Sequence, residues 1–179
     1  MMRLLARIAL LLLPIGLAVG LAVVLDAYMV SASLLGPTWS RPDGIKVIDG
    51  TTSPVMTQAV ADAVAGWNQS PYIHFNLQQR TYTGLRNHAV VIHEAPGYIG
   101  GYAQYDQANG HFRYVLITLG AVAHSEFDPL AWHQYGACHE LGHALGLDHT
   151  YDPDSCMGSR SPHPSAADFA ELEVIYGGH

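Results

Sequence analysis

Positive charge is scarce in this chain. Of 179 residues only 8 are Lys or Arg, against 15 Asp or Glu, and the formal net charge is −7. No basic run or patch is visible, so the electrostatic footprint of a nucleic-acid partner is missing and that class of partner is excluded. Cysteine is nearly absent too: Cys138 and Cys156 are the only two. They leave room for one bridge but not for a disulfide scaffold, so the fold must rest on a hydrophobic core, which a chain of this length can build. There is no internal repeat, no low-complexity tract and no sign of a second domain. Long apolar runs are lacking as well, with one exception at the N-terminus.

That exception extends from Ile8 to Leu25, preceded by Arg3 and Arg7 and closed by Asp26. A positive flank followed by an apolar stretch reads as a secretory signal or as an N-terminal membrane anchor. Val30-Ser31-Ala32 offers small residues for cleavage after Ala32. Both readings of residues 1–32 stay open. Either one places the remainder outside the cytoplasm, secreted or tethered, because the arginines stay inside. Residues 33–43, with two prolines and a glycine, read as a linker. Residues 44–179 are then the single folded domain, expected to be a monomer that meets the membrane only through the N-terminal segment.

Within that domain the periodicities alternate. Ile45 to Asp49 has strand spacing, and Tyr72 to Leu77 is a second strand. Ala89 to Ile92 is continuous and apolar, which predicts a central strand. Tyr98 to Tyr105 alternates weakly around glycines and suits an edge. Phe112 to Thr118 follows a turn at Ala108-Asn109-Gly110. Ser53-Pro54 opens a helix whose apolar face includes Ala59, Val60, Ala63, Val64 and Trp67. Asp128-Pro129 opens another by the same logic, running to about Leu145, with Leu130, Ala137, Leu141, Ala144 and Leu145 turned inward. Ser165-Ala166-Ala167-Asp168 has the form of a capping box for a last helix that ends at Gly177. The order predicts an α+β domain, a twisted mixed sheet with two long helices behind it.

The chemistry is concentrated in His139-Glu140-Leu141-Gly142-His143-Ala144-Leu145-Gly146-Leu147-Asp148-His149. On a helix, His139 and His143 stand one turn apart on one face and can grip one metal ion. Glu140 is rotated away from that ligand position but can reach a water on the ion. Gly146 accepts the left-handed conformation that a helix stop needs, so the chain can turn back and bring His149 in as third nitrogen ligand. Three protein ligands leave a tetrahedral corner open, which distinguishes a catalytic zinc from a structural one. The two cysteines flank this machinery. Cys138 precedes the first histidine and Cys156 precedes Met157; in an oxidising compartment such a pair usually closes, the alternative being two separate buried thiols. A bridge would clamp the helix to the segment around Met157.

The run resembles the metzincin signature H-E-x-x-H-x-x-G-x-x-H. Ser155-Cys156-Met157-Gly158 resembles the methionine-bearing turn that lies beneath the metal in that family. The resemblance is closest to the matrixin branch and covers roughly residues 44–178. It implies a zinc endopeptidase with a sheet of about five strands, an active-site helix and a C-terminal helix. Its edge strand, here Gly101 to Tyr105, would take the substrate as an added antiparallel strand. Residues 159–164 would wall the pocket on the leaving-group side. It implies one catalytic Zn2+ on His139, His143 and His149, Glu140 as the base acting on zinc-bound water, and Met157 as the structural methionine. No His/Asp cluster matches the matrixin structural zinc and calcium sites, so additional ions are left open, and His74, His88, His93 and His111 read as surface or loop histidines. Two rival readings remain: a zinc-loaded module that binds a peptide or envelope polymer without cutting it, and a hydrolase of a non-protein amide.

Overall fold

The computed structural model describes residues 35–158 and 161–178; the segment read as a signal or anchor lies outside the described residues. Among the described residues no helix is long and apolar enough to cross a membrane. In chain order the elements are β1 (Ile45–Asp49), α1 (Pro54–Trp67), β2 (Phe75–Gln79), β3 (Ala89–Ile99), β4 (Gly101–Ala108), β5 (His111–Val122), α2 (Pro129–Ala144) and α3 (Ala166–Tyr176). The five strands form one mixed sheet in the order β2-β1-β3-β5-β4. The first four in that order run parallel, and β4 closes one edge antiparallel to β5. The α+β expectation and the mixed five-stranded sheet are what the fold shows.

Local chemistry explains the boundaries. Ser53 caps α1 by accepting from the Met56 amide, and Asp128 caps α2 by accepting from the Ala131 amide, each with proline next in sequence. Ser165 and Asp168 close a reciprocal capping box on α3. Asn109 and Gly110 have φ of 54° and 77° between the paired residues Ala108 and His111, a two-residue hairpin turn whose twist matches the strands. β3 lies at the sheet centre, and its first four residues are buried. It runs on past Ile92 to Ile99, and Tyr98 and Ile99 belong to it rather than to the edge strand. Leu130, expected to face inward, is only half-buried.

Helices α1 and α2 pack together. Trp67, fully buried, donates its indole N–H to the Cys138 carbonyl at 2.9 Å. The segment expected to be a linker is corrected from residue 35 onward. Trp39 is 4% exposed and lies in the core. Its indole N–H donates to the Ala144 carbonyl at 2.7 Å, while the Tyr176 hydroxyl donates to the Leu145 carbonyl at 2.9 Å. The last carbonyls of a helix lack intrahelical donors; here a tryptophan from the approach segment and a tyrosine from α3 supply them. Thr38 also bridges to His111 beside β5. The end of α2 is therefore fixed from two sides just before the chain turns.

Candidate metal centre

That turn is made at Gly146, whose φ is +92°. A side chain there would be strained by the backbone and would also press on the Pro37 carbonyl at 2.8 Å. Leu147 and Asp148 follow, and His149 arrives opposite the two histidines of α2. His139 Nε2 stands 3.1 Å from His143 Nε2 and 3.2 Å from His149 Nε2. Their second nitrogens face elsewhere: His139 Nδ1 donates to the Cys156 carbonyl at 2.7 Å, and His143 Nδ1 to the Leu147 carbonyl at 2.9 Å. Those bonds place the proton on Nδ1 and aim bare Nε2 lone pairs at one point. Asp148 sits beside the third ring, its carboxylate 3.7 Å from His149 Nδ1, and it accepts from the His149 amide at 2.7 Å.

The unprotonated nitrogens of His139 and His143 repel unless a cation sits between them, and His149 Nε2 completes the donor set. Nitrogens bound tetrahedrally at about 2.0–2.1 Å stand about 3.3 Å apart, close to the separations here. The donor set therefore fits a zinc-like ion. Among the described residues no other group of three or more His, Cys, Asp or Glu is gathered in this way. His93 instead bonds Thr118 at 2.8 Å and stacks on Tyr82, and His111 meets Thr38.

Burial shifts the charges of the site. It pushes the His139 ring down to about 4, with the Cys156 carbonyl opposing, and lowers His143 as well. It pushes the Glu140 carboxyl up to about 7. Glu140 is 5% exposed yet lines a cavity of about 190 Å³ that also reaches His139. The start of β4 lies directly against it: a Cβ at Gly101 would meet Glu140 Cγ at 3.1 Å. Carboxyl, triad and sheet edge thus share one opening.

Met157 is buried against Gly142. Its amide donates to Ser155 Oγ at 2.8 Å, and the Ser155 hydroxyl donates to Asp168 of the α3 capping box. A disulfide joins Cys138 to Cys156. The bridge ties α2 to the residue whose carbonyl orients His139. Residues 159 and 160 of the segment expected to wall the pocket lie outside the described residues. Among the lining residues that escaped the sequence reading are His133 and Tyr135. Their spacing carried a signal, since His133 lies seven residues before Glu140 and so shares its helical face.

Comparison with protein-family models gives no match. The sequence is 31% identical over 106 residues to Macrophage metalloelastase of Oryctolagus cuniculus, covering 50% of this chain and 23% of the relative. It is 31% identical over 136 residues to Matrilysin of Felis catus, covering 66% and 50%. The chain thus spans half or less of the length of these curated relatives. Among solved structures, myroilysin superposes with a TM-score of 0.57 at 15% identity, covering 82% of this chain and 98% of that one.

Proposed function

From a metzincin-like sequence and fold, we propose that this chain is a zinc-dependent endopeptidase working outside the cytoplasm, with Glu140 as its general base. The observation that carries this reading is the convergence of three Nε2 atoms within 4.8 Å of one another beside a buried carboxyl in an open cavity. His139, His143 and His149 would hold the ion. When bound, zinc supplies Lewis acidity, which acidifies water and polarises a carbonyl oxygen.

The chain's own groups do the remainder. The Cys156 and Leu147 carbonyls hold His139 and His143 in the ligating tautomer. A carboxyl raised to about 7 by burial is matched to proton exchange near neutral pH. Glu140 accepts the proton of the attacking water and then delivers it to the amine that leaves. Beside it, β4 presents an unpaired edge on which an extended peptide can add as a strand, which fixes the scissile carbonyl next to Glu140. Met157, packed against Gly142 and held by Ser155 and the neighbouring disulfide, would steady the helix that carries two of the ligands. The disulfide supports an oxidising compartment, and the Arg-flanked run at Ile8–Leu25 would serve as leader or anchor for the folded domain that follows.

The test is a digest of a mixed peptide library by the purified chain, with and without a chelator, beside the Glu140→Ala variant. Cleavage abolished by chelation is expected. The variant should retain one zinc per chain and lose hydrolysis by orders of magnitude. A variant as fast as the parent, or cleavage indifferent to the chelator, would refute the reading.

A further inference from the structure

The cavity beside Glu140 extends along α2 to a group that hydrolysis does not use. His133 and Glu140 lie on one helical face, about 10 Å apart along the axis at about 1.5 Å per residue, and both line the cavity. His133 is 6% exposed, and no described residue hydrogen-bonds its ring. Its ring nitrogens are not among the fully enclosed unpaired polar atoms of the described residues, so the ring opens onto the cavity. Its ring is therefore left to bond whatever enters the cavity.

The other walls say what that occupant is. Leu119, Trp132 and Tyr135 supply mostly apolar surface. Gly136 lines the cavity with backbone alone, and a Cβ there would meet no atom within 4 Å, so the helix leaves room at its middle. The lining holds no Lys or Arg, and Glu94 acts on His133 through space, which disfavours an acidic side chain. A lysine or arginine would bring its charge into an apolar sleeve whose one carboxyl, Glu140, is committed to proton transfer. Burial favours the neutral form of His133 against the opposing pull of Glu94, and a neutral imidazole offers one acceptor nitrogen. A phenol matches this sleeve: an apolar ring ending in one hydroxyl donor.

Resting on the peptidase reading above, we propose that this cavity is a side-chain subsite in which His133 selects tyrosine over phenylalanine at one residue flanking the cleaved bond. His133 is a specificity-determining residue here and takes no part in the chemistry.

The test separates binding from cleavage. Labelled peptide pairs, identical except for Tyr or Phe at either flank, are titrated by fluorescence anisotropy against the zinc-loaded full-length Glu140→Gln chain. At one flank the Tyr peptide should bind about tenfold tighter, the scale of one net hydrogen bond. Adding His133→Leu should bring that ratio to about one and leave the Phe peptide within about threefold of its former affinity. His133→Gln, which keeps a hydrogen-bonding group, should restore part of the preference, and it serves if the leucine variant folds poorly. With Glu140 intact, kcat/KM should show the same Tyr/Phe ratio. Discrimination in binding without any cleavage would uphold the subsite and overturn the peptidase reading. Equal affinity at both flanks, no peptide binding at all, or a ratio unmoved by His133→Leu would overturn the subsite whatever is cleaved.

Discussion

Two glycines of α2 should respond in opposite directions to the same substitution. Gly136 and Gly142 lie in one helix, and alanine in place of either removes backbone freedom worth about 1 kcal/mol in helix propensity. At Gly136 the added methyl meets open space, so the gain should appear in full. At Gly142 it runs into Met157 Sδ and stands 2.9 Å from Trp67 Cζ2 and 3.1 Å from Met157 Cε. Met157 is flexible, but it is 1% exposed and has little space to retreat into. Trp67 is rigid, fully buried and held by its bond to the Cys138 carbonyl. Overpacking of this kind costs about 1–3 kcal/mol. Subtracting the propensity gain leaves Gly142→Ala less stable than the parent by about 1 kcal/mol, and the two variants differ by about 2 kcal/mol. For a chain of 179 residues that corresponds to Tm about 2–4 °C above the parent for Gly136→Ala and about 2–4 °C below it for Gly142→Ala. Thermal unfolding of the metal-free chain by circular dichroism is the assay. If Gly142→Ala melts as high as Gly136→Ala, the packing of Met157 and Trp67 against Gly142 is wrong.

Further predictions concern the bridge and the charges. Replacing both Cys138 and Cys156 with serine opens a loop with a sequence separation of 18. It should remove about 3 kcal/mol in the chain-entropy account, read from urea unfolding. Zinc affinity should fall with it, because the Cys156 carbonyl that orients His139 is released; unchanged affinity would contradict that link. For pH, His139 is held down to about 4. Below about 6.5 the unfolded chain takes up a proton that the fold resists, so metal-free stability present above that pH should fall toward pH 4. Glu140 acts in the opposite sense. Its carboxyl is raised to about 7, so its penalty grows as pH climbs from about 4.5 through 7. Glu140→Gln should therefore stabilise the metal-free chain at about pH 8 more than at about pH 4. Denaturant titrations at the two pH values check this, and an equal effect at both would count against a buried carboxyl.

Elements governed by local rules were legible in the sequence. Serine-proline and aspartate-proline marked the starts of α1 and α2, Asn109-Gly110 marked the hairpin, and Gly146 marked the stop with its positive φ. The spacing of His139 and His143 needs only the helix repeat. What escaped was non-local. Nothing near Trp39 announces that its indole will cap a helix more than 100 residues away, so its segment read as a linker. β3 reaches Ile99 through exposed residues because β5 pairs with it, and its own pattern becomes polar after Ile92. The start of β2 is set by Ile45 and Phe75 pairing across strands, not by the apolar residues before it. The cavity is non-local as well. Glycines from β4, β5 and α2 leave its space, and they converge only in the fold.

The claim that everything else depends on is that His139, His143 and His149 share one ion. X-ray absorption at the zinc edge on the stoichiometrically loaded chain reads this directly. Three nitrogen ligands and one oxygen at about 2.0–2.1 Å are expected, with loss of one nitrogen in a His149→Ala variant. A sulfur ligand at about 2.3 Å, or a spectrum unchanged by His149→Ala, would contradict it.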